Sequence, residues 1–383
     1  MILEEIKRLI PKLVTIESTN SWLVPEGAGE KNVQEFIAGY LKEIDIESRM
    51  EEIDGEHYNL TATVKGNGGG KSITLYAHAD TVGRELWYED ALVPRISGDK
   101  IIGLGAADDK GFCAAIMIAM KVLKTRNRKL RGDVNICFIA DEEGTSMGAM
   151  DYVKKHEPTA TLILESAPLE YIGVTHQGFG WLKIVTKGKA GHGSAGEDCT
   201  DAIYHMAEVI IRLQKNQREN FAKNIHPMNG ETVYHTGYIK GGTDFASYPD
   251  RCELGIEIGT QPGETMNNRI MEIEAIFKEV KSICPDFEGS VEIVIEREPY
   301  VAVGHEGLFE ILARNIEKYH GMKAKAVGDN SWGDAQLFQS AGFSALGLGS
   351  RGGNLHAPQE WVSISEMEKL IEVLVDTVEE YCG

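Results

Sequence analysis

The chain has 383 residues, 42% of them hydrophobic, which allows about two or three domains with sizeable buried cores. Its 59 acidic and 39 basic residues leave a net charge of −20, which repels phosphate and disfavours nucleic acid and anionic membranes as partners. We expect a soluble cytoplasmic protein with reduced thiols, because the N-terminus lacks a signal-peptide segment, no apolar stretch approaches about 20 residues, and the six cysteines are widely separated.

Hydrophobic periodicity predicts alternating helices and strands in the first half of the chain. The predicted elements are a helix over 33–44, strands over 73–77, 134–140 and 161–164, and helices over 112–123 and 147–155. Strands that alternate with helices in this way are typical of βαβ units around a parallel sheet that is buried on both faces.

The pattern changes near Gly178, where a second group of elements begins. It consists of a strand over 179–186, a helix over 201–213, strands over 232–239 and 252–258, a helix over 266–280 and a strand over 291–295. The order β-α-β-β-α-β is that of a small split-βαβ sandwich, which is complete in itself and is therefore predicted to be an inserted domain.

After this insertion the first pattern returns. A helix is predicted over 308–319, a strand over 344–348 and a helix over 367–378. We therefore predict an α/β fold with a mixed, mostly parallel sheet flanked by helices. Its main domain is discontinuous, over 1–176 and 294–383, and the inserted α+β domain covers 177–293.

Side chains that can bind metal collect at the ends of the predicted strands and in one glycine-rich loop. They are His78 and Asp80, Glu142 and Glu143, Glu165, His356, and the loop pair Asp108 and Asp109. Parallel strands place their carboxyl ends along one edge, where open α/β sheets bind ligands, so these side chains should converge. Carboxylates this close repel one another, and a bound cation removes the repulsion.

The types of side chain narrow the choice of metal. Imidazole and carboxylate groups without thiolates favour zinc, with cobalt or manganese as substitutes. A carboxylate on a loop between two imidazole–carboxylate sets can bridge two ions about 3.5–4 Å apart.

Each of these residues alone also has a structural explanation. A histidine at a strand end is often only hydrogen-bonded, and Glu142 with Glu143 could be a solvated acidic turn. Neighbouring strand residues point in opposite directions, so one of these glutamates can hold metal while the other faces substrate as a base. The Gly-x-Gly before Asp108 could bind a nucleotide phosphate, but it lacks a third correctly spaced glycine.

Seven motifs occur together along nearly the whole chain: 76–82 (YAHADTV), 105–111 (GAADDKG), 140–144 (ADEEG), 163–165 (ILE), 191–194 (GHGS), 333–335 (GDA) and 356–362 (HAPQEWV). In sequence and order they resemble the metallohydrolase family that includes acetylornithine deacetylase, succinyl-diaminopimelate desuccinylase, aminoacylase and glutamate carboxypeptidase. The resemblance implies a catalytic domain with two zinc ions and an inserted lid domain that also forms a homodimer.

Carried over by position, the resemblance also implies a ligand set. Asp108 would bridge the two metals, His78 and Glu165 would complete one site, and Glu143 and His356 would complete the other. These assignments follow from the family motifs and not from spacing.

The resemblance further implies three catalytic residues. Glu142 would act as the general acid and base on a metal-activated water, and Asp80 would be the partner of His78. His192 would reach from the lid, often that of the partner subunit, to the scissile carbonyl oxygen. Without the resemblance, His192 would be interpreted as an ordinary loop histidine among glycines.

The chain differs from the family at positions that bind the substrate in relatives. Relatives often carry an asparagine shortly before the proline that matches Pro249 and an arginine where this chain has 257–260, and both groups help to hold the substrate's carboxylate. In this chain the stretch before Pro249 is 244–248 (DFASY), which contains no asparagine. Candidates for substrate binding are therefore His192, Arg351 and Asn354, with Arg251 and Arg269 as further possible substitutes.

We therefore predict an amidohydrolase that removes a short acyl group from a small N-acyl amino acid. The nearest alternative is a carboxypeptidase or dipeptidase on the same scaffold. Two other classes are a non-catalytic relative that binds a small ligand, which would be favoured if a ligand residue were missing, and a nucleotide-binding oxidoreductase.

Overall fold

The computed structural model describes residues 1–383 apart from the side chains of Glu197 and Glu306. The chain forms two compact units, the first comprising Met1–Val174, Ala302–Val327 and Gly333–Gly383, and the second comprising Thr175–Val301 and Gly328–Trp332. The predicted domain boundary at 294 is wrong, because that position lies inside the strand Glu288–Arg297 of the second unit. The chain returns to the first unit at Ala302.

The helices in chain order are α1 (Ile2–Val14), α2 (Lys31–Glu43), α3 (Lys110–Arg126), α4 (Met147–Lys155), α5 (Ala202–Glu219), α6 (Met266–Ile283), α7 (Glu306–His320), α8 (Ala335–Ser340) and α9 (Ile364–Cys382). Within the described residues, no helix combines the length and apolarity needed to cross a bilayer.

The strands in chain order are β1 (Ser48–Glu52), β2 (Tyr58–Val64), β3 (Ile73–His78), β4 (Arg95–Ser97), β5 (Lys100–Ile102), β6 (Val134–Ile139), β7 (Ala160–Leu164), β8 (Tyr171–His176), β9 (Gly178–Lys187), β10 (Gly191–His192), β11 (Tyr234–Gly241), β12 (Ser247–Tyr248), β13 (Arg251–Thr260), β14 (Glu288–Arg297), β15 (Tyr300–Val301), β16 (Lys325–Asp329), β17 (Ser344–Leu348), β18 (Gly352–Gly353) and β19 (Trp361–Ser363).

The first unit is built on a mixed sheet with the order β1-β2-β6-β3-β7-β17-β8. The four central strands, β6, β3, β7 and β17, are parallel, whereas β1, β2 and β8 pair antiparallel at the two sides. The predicted α/β fold with a mixed sheet flanked by helices is thus confirmed, with its parallel pairing confined to the centre. The carboxyl ends of the four central strands therefore share one edge.

Strand β3 shows why the centre of this sheet appears in the sequence as a continuous apolar run. All six of its residues are buried, and successive side chains point to opposite faces, so both faces are covered. Helices α3 and α9 contact this strand, while Tyr76 packs edge-on against Phe338 of α8 with ring centroids 5.3 Å apart. This packing holds the residues at the end of β3 in a fixed position.

A small antiparallel sheet of the first unit, with the order β18-β19-β5-β4, supports two of the predicted site loops. Strand β5 precedes the loop of Asp108, and β18 and β19 flank the loop of His356. In the latter, Asn354, His356 and Gln359 have φ angles of 57°, 55° and 65°. This left-handed region is uncommon for residues other than glycine, so surrounding contacts must hold the loop.

The second unit has its own sheet and its own core. Along the chain its elements run β9-α5-β11-β13-α6-β14, and the antiparallel sheet has the order β11-β13-β9-β14. Helices α5 and α6 pack on this sheet over a core that includes Ile184, Met206 and Leu254. The Asp201 side chain accepts hydrogen bonds from two backbone N–H groups and so begins α5.

Candidate metal centre

Three of the predicted ligands lie together at the carboxyl edge of the central sheet. His78 ends β3 and Glu165 directly follows β7, while Asp108 comes from the loop before α3. His78 Nε2 lies 3.0 Å from Asp108 Oδ1 and 3.7 Å from Glu165 Oε1. One ligand atom from each residue lies within 4.8 Å of the other two.

A second group shares Asp108 with the first. His356 Nε2 lies 3.2 Å from Asp108 Oδ2 and 3.1 Å from Glu143 Oε2. These three residues again offer ligand atoms within 4.8 Å of one another. Asp108 therefore turns one carboxylate oxygen toward each histidine, which is the arrangement of a carboxylate between two cation sites.

The distances fit ligands of a common ion. Zinc ligands about 2.0–2.1 Å from the metal in tetrahedral geometry lie roughly 3.3 Å from each other. Four histidine–carboxylate distances in the two groups range from 3.0 to 3.7 Å. In addition, Oε1 of Glu143 is buried and has no hydrogen-bond partner in the described part of the protein. A donor or cation is needed to satisfy it.

The pKa values of the ligand residues also favour a bound cation. Burial raises the pKa of Glu165 to about 8 and that of Glu143 to about 7, and in both cases the charge of Asp108 adds to the effect. Hydrogen bonds to Asp108 and Glu143 raise the pKa of His356 to about 11. All three groups thus favour proton uptake, and the two ligand groups together contain three carboxylates but only two imidazoles. A bound cation would neutralise the charge of these carboxylates.

Asp80 lies behind His78 and connects the ends of two strands. Its Oδ1 is 3.4 Å from His78 Nδ1, and its carboxylate accepts the backbone N–H groups of Glu142 and Glu143 at 3.2 and 3.1 Å. The side-chain amide of Asn20 donates to Asp80 at 2.8 Å. Asp80 is fully buried and so orients both the histidine and the Glu142–Glu143 turn.

Two further carboxylates support the loops of the metal centre rather than contribute to either ligand group. The Asp109 side chain accepts the His78 backbone N–H at 2.9 Å, and the Asp108–Asp109 peptide bond is cis. Glu360, only 1% exposed, accepts the backbone N–H groups of Gly105, Ala107 and Asp108 at 3.1, 2.8 and 3.1 Å. Glu360 lies inside the motif that begins at His356, but nothing in its spacing indicates that it would hold the Asp108 loop.

Glu142 lies in the first unit beside the two groups of ligands. Its side chain is half-buried, and burial together with neighbouring carboxylates raises its pKa well above the usual range. One of these neighbours is the buried Asp334, which accepts a hydrogen bond from the Tyr76 hydroxyl at 2.6 Å. A carboxylate whose pKa is raised in this way is a stronger proton acceptor than an ordinary glutamate.

His192 belongs to the second unit, on β10, and is exposed. Its Nδ1 lies 2.8 Å from the Ser194 hydroxyl and accepts the Ser194 backbone N–H at 3.2 Å. These contacts leave Nε2 at the surface for another partner.

Two of the predicted substrate-binding residues are already engaged within the first unit. The guanidinium of Arg351 lies 2.9 Å from Glu170 Oε1 and 3.2 Å from Glu366 Oε1. The amide of Asn354 donates to the backbone carbonyls of Pro358 and Gln359 at 3.3 and 3.2 Å, and so closes the loop of His356. Both residues are exposed, so a role for either in substrate binding stays a prediction.

The other two arginine candidates lie in the second unit and differ in exposure. Arg269 is 2% exposed and pairs with Glu264 and Glu272, so its role is structural. Arg251 has a half-exposed side chain 3.0 Å from Glu253. With Lys240, it lines an open cavity of ≈ 550 Å³ that also borders Gly191, next to His192.

The sequence matches peptidase family M20/M25/M40 over residues 74–380, most of the chain and all of the metal centre. The chain belongs to this family. It is therefore a hydrolase that acts on amide or peptide bonds, and the family assignment places the two ligand groups in a metal-dependent scaffold.

Individual members of the M20 family show the range of relatives. The chain is 28% identical to acetylornithine deacetylase of Vibrio vulnificus, covering 92% of each protein. It is 22% identical to N-formyl-4-amino-5-aminomethyl-2-methylpyrimidine deformylase of Bacillus subtilis, covering 99% of this chain and 95% of the relative. Among solved structures, a dinuclear metal-binding peptidase of Bacillus subtilis superposes with a TM-score of 0.72 at 15% identity, covering 100% and 98% of the two chains.

Proposed function

We propose that this M20 hydrolase cleaves the amide bond of a small N-acyl amino acid with the help of two divalent metal ions, zinc being favoured. The observation that carries the proposal is the position of Asp108, whose two oxygens face His78 and His356 at 3.0 and 3.2 Å. The centre has two imidazoles, carboxylates and no thiolate, a donor set that suits zinc, with cobalt or manganese as substitutes.

Each residue of the centre then has a part in the reaction. His78, Asp108 and Glu165 would hold one ion, and Asp108, Glu143 and His356 the other. Bound ions of this kind supply an acidified water and a polarised carbonyl oxygen.

Proton transfer falls to Glu142. It would take a proton from the attacking water and return it to the leaving amine, a role that its raised pKa supports. Asp80 would keep the imidazole of His78 in the correct orientation, since it lies 3.4 Å from Nδ1.

Substrate recognition is proposed to involve the second unit. His192 would donate to the developing oxyanion, an effect worth about 3–4 kcal/mol for one well-placed donor. Arg251, beside the cavity that borders Gly191, would bind the substrate's carboxylate in place of the asparagine and arginine of relatives. The likeness to acetylornithine deacetylase supports an N-acyl amino acid as the substrate.

The second candidate function is a carboxypeptidase or dipeptidase. It is supported by the superposition with a metal-binding peptidase, and the chemistry at the centre would be the same. The likeness to a deformylase favours a short acyl group and therefore the first candidate.

The test combines metal analysis with a substrate panel. Purified protein would be stripped with a chelator, reloaded with zinc, cobalt or manganese, and assayed for amine release from N-acetyl, N-formyl and N-succinyl amino acids and from dipeptides. We expect about two metal equivalents at the proposed centre and turnover of N-acyl amino acids in preference to dipeptides. Preferential dipeptide cleavage would favour the second candidate, and undiminished turnover by the metal-free protein would refute both.

The matched variants are Asp108→Ala and Asp90→Ala. The first removes the shared carboxylate and should abolish paired metal binding, while the second removes an exposed carboxylate of the same unit and should change nothing. Unchanged metal stoichiometry in Asp108→Ala would argue against the bridging role.

A further inference from the structure

A third group of side chains in the first unit resembles a metal site and is separate from the proposed centre. Glu170, His320 and Glu366 offer ligand atoms that all lie within 4.8 Å of one another. Glu170 directly precedes β8, His320 ends α7, and Glu366 lies in the first turn of α9. Glu170 is 5% exposed, Glu366 6%, and the side chain of His320 8%.

The imidazole of His320 lacks the contacts that a buried histidine normally makes. Neither of its ring nitrogens has a hydrogen-bond partner among the described side chains and backbone, and neither has Oε2 of Glu170. Nevertheless His320 Nε2 lies 3.2 Å from that same Oε2, without the alignment of a hydrogen bond. Buried polar atoms rarely lack a hydrogen-bond partner. We therefore expect an ion or a molecule to contact both His320 Nε2 and Glu170 Oε2.

The separation of the two atoms is compatible with a shared metal ion. Two ligands of one tetrahedral zinc ion lie roughly 3.3 Å apart. The distance of 3.2 Å between His320 and Glu170 matches this value and equals the distance between His356 and Asp108 in the proposed centre. One imidazole and two carboxylates form a donor set typical of zinc.

Arg351 partly neutralises the negative charge of Glu170 and Glu366. Its guanidinium contacts Oε1 of both Glu170 and Glu366, and it leaves Oε2 of Glu170 toward His320. Two carboxylates and one guanidinium give a net charge of about −1 when His320 is neutral, so a cation is still attracted. The Arg351 side chain is 49% exposed and can move toward solvent when an ion enters.

Glu366 keeps ligand capacity despite its other contacts. Its Oε2 accepts the backbone N–H groups of Arg351 and Leu169 at 2.8 and 3.4 Å. Carboxylate oxygens carry two lone pairs each, so these bonds leave positions for a cation. Water would complete the coordination.

We propose that Glu170, His320 and Glu366 bind a further divalent ion of the zinc class that stabilises the first unit. The ion would join the segment after Glu165 to α7 and α9. It would take no part in the reaction, and its site does not depend on the proposed function.

The competing occupant is a proton. A protonated His320 would form an ion pair with Glu170 and leave the group neutral overall, with no metal. Because metal can bind only the neutral imidazole, the two occupants exclude each other and can be told apart by stoichiometry.

The experiment counts cobalt and zinc in the full-length protein after dialysis, by elemental analysis and by the visible absorption of cobalt. Asp108→Ala removes the proposed pair and should leave about one equivalent, bound at this third site. Adding His320→Ala to it should abolish that equivalent and the rise in Tm that zinc produces. Glu170→Gln, which keeps the shape of the side chain, serves as the second variant if His320→Ala fails to fold.

The control is His235→Ala, which removes an exposed histidine of the second unit and should leave the count unchanged. If Asp108→Ala binds no metal, or if its last equivalent survives both His320→Ala and Glu170→Gln, the site is refuted. If the wild type binds a single metal equivalent and His320→Ala binds none, the result would support this third site and refute the proposed paired centre.

Discussion

The carboxylates around the metal centre have two distinct roles. The hydrogen-bond donors near each carboxylate determine which role it has. Asp80 and Glu360 are buried and accept several backbone N–H groups, so their charge serves to hold loops. Glu143 and Glu165 face histidines across the crevice and have few donors of their own. A sequence shows the residue type but not the backbone donors, which is why Glu360 received no role from its motif alone.

The first prediction at this scale concerns Glu142. Replacing it with glutamine removes the proton acceptor while keeping the shape, so kcat should fall roughly 10²–10⁴-fold. Metal content should stay at the wild-type level, because Glu142 is not among the residues that offer ligand atoms to either group. Steady-state kinetics and elemental analysis of the same sample check both statements. Glu26→Gln, at an exposed position, is the control, and normal turnover in Glu142→Gln would remove its catalytic role.

The second prediction concerns a buried histidine away from the centre. His57 Nδ1 lies 3.3 Å from Glu30 Oε2, and this contact raises the pKa of His57 to about 9. A raised folded-state pKa gives stability that is present below the unfolded value of 6.5 and is lost as the pH rises through about 9. His57→Gln should therefore destabilise the metal-free protein by about 2 kcal/mol near pH 6 and by little near pH 10.

Urea unfolding of both proteins at the two pH values measures this difference. The charges that face His57 are those of Glu30, Asp141 and Asp54, and all of them favour its protonated form. The same loss of stability at both pH values would show that packing, rather than charge, accounts for the effect.

Among the secondary-structure elements, burial determines which strands could be predicted from the sequence. Strands β3, β6 and β7 were predicted because both of their faces are covered, which produces continuous apolar runs. Strands β4 and β5 are three residues long and partly exposed, so they leave no such signal. The helix α1 was also missed, although its buried residues Ile2, Ile6, Leu9 and Leu13 have helical spacing and the signal was therefore present in the sequence.

The third prediction tests how the small sheet supports the Asp108 loop. Glu360 directly precedes β19 and binds three N–H groups of that loop, so Glu360→Ala should release it. Loss of such a supporting group typically weakens metal affinity about 10–100-fold, with the ligands still present. Competition against a chromophoric chelator measures the affinity. Glu47→Ala, at an exposed residue of the same unit, should bind metal normally, and equal affinities in both variants would contradict the supporting role.

At the scale of the whole molecule, the second unit leaves edges that could pair with another chain. In its sheet, β11 pairs only with β13 and β14 only with β9, so each has one unpaired side in the described structure. Ile239 on β11 and Val294 on β14 are both 53% exposed. Exposed apolar edge strands are typical sites of association between chains. This agrees with the homodimer that the family resemblance implies, although the dimer itself remains a prediction.

The fourth prediction follows from those edges and from His192. If two copies associate through the second unit, light scattering should give twice the mass of 42.2 kDa, and Ile239→Lys with Val294→Lys should give the monomer. Ile225→Lys, 61% exposed and outside these strands, should remain dimeric. If His192 acts on the partner's substrate, the monomeric variant should keep its metal but lose turnover, because the first unit holds every proposed ligand and His192 lies in the second. A fully active monomer would place His192 in its own subunit's reaction.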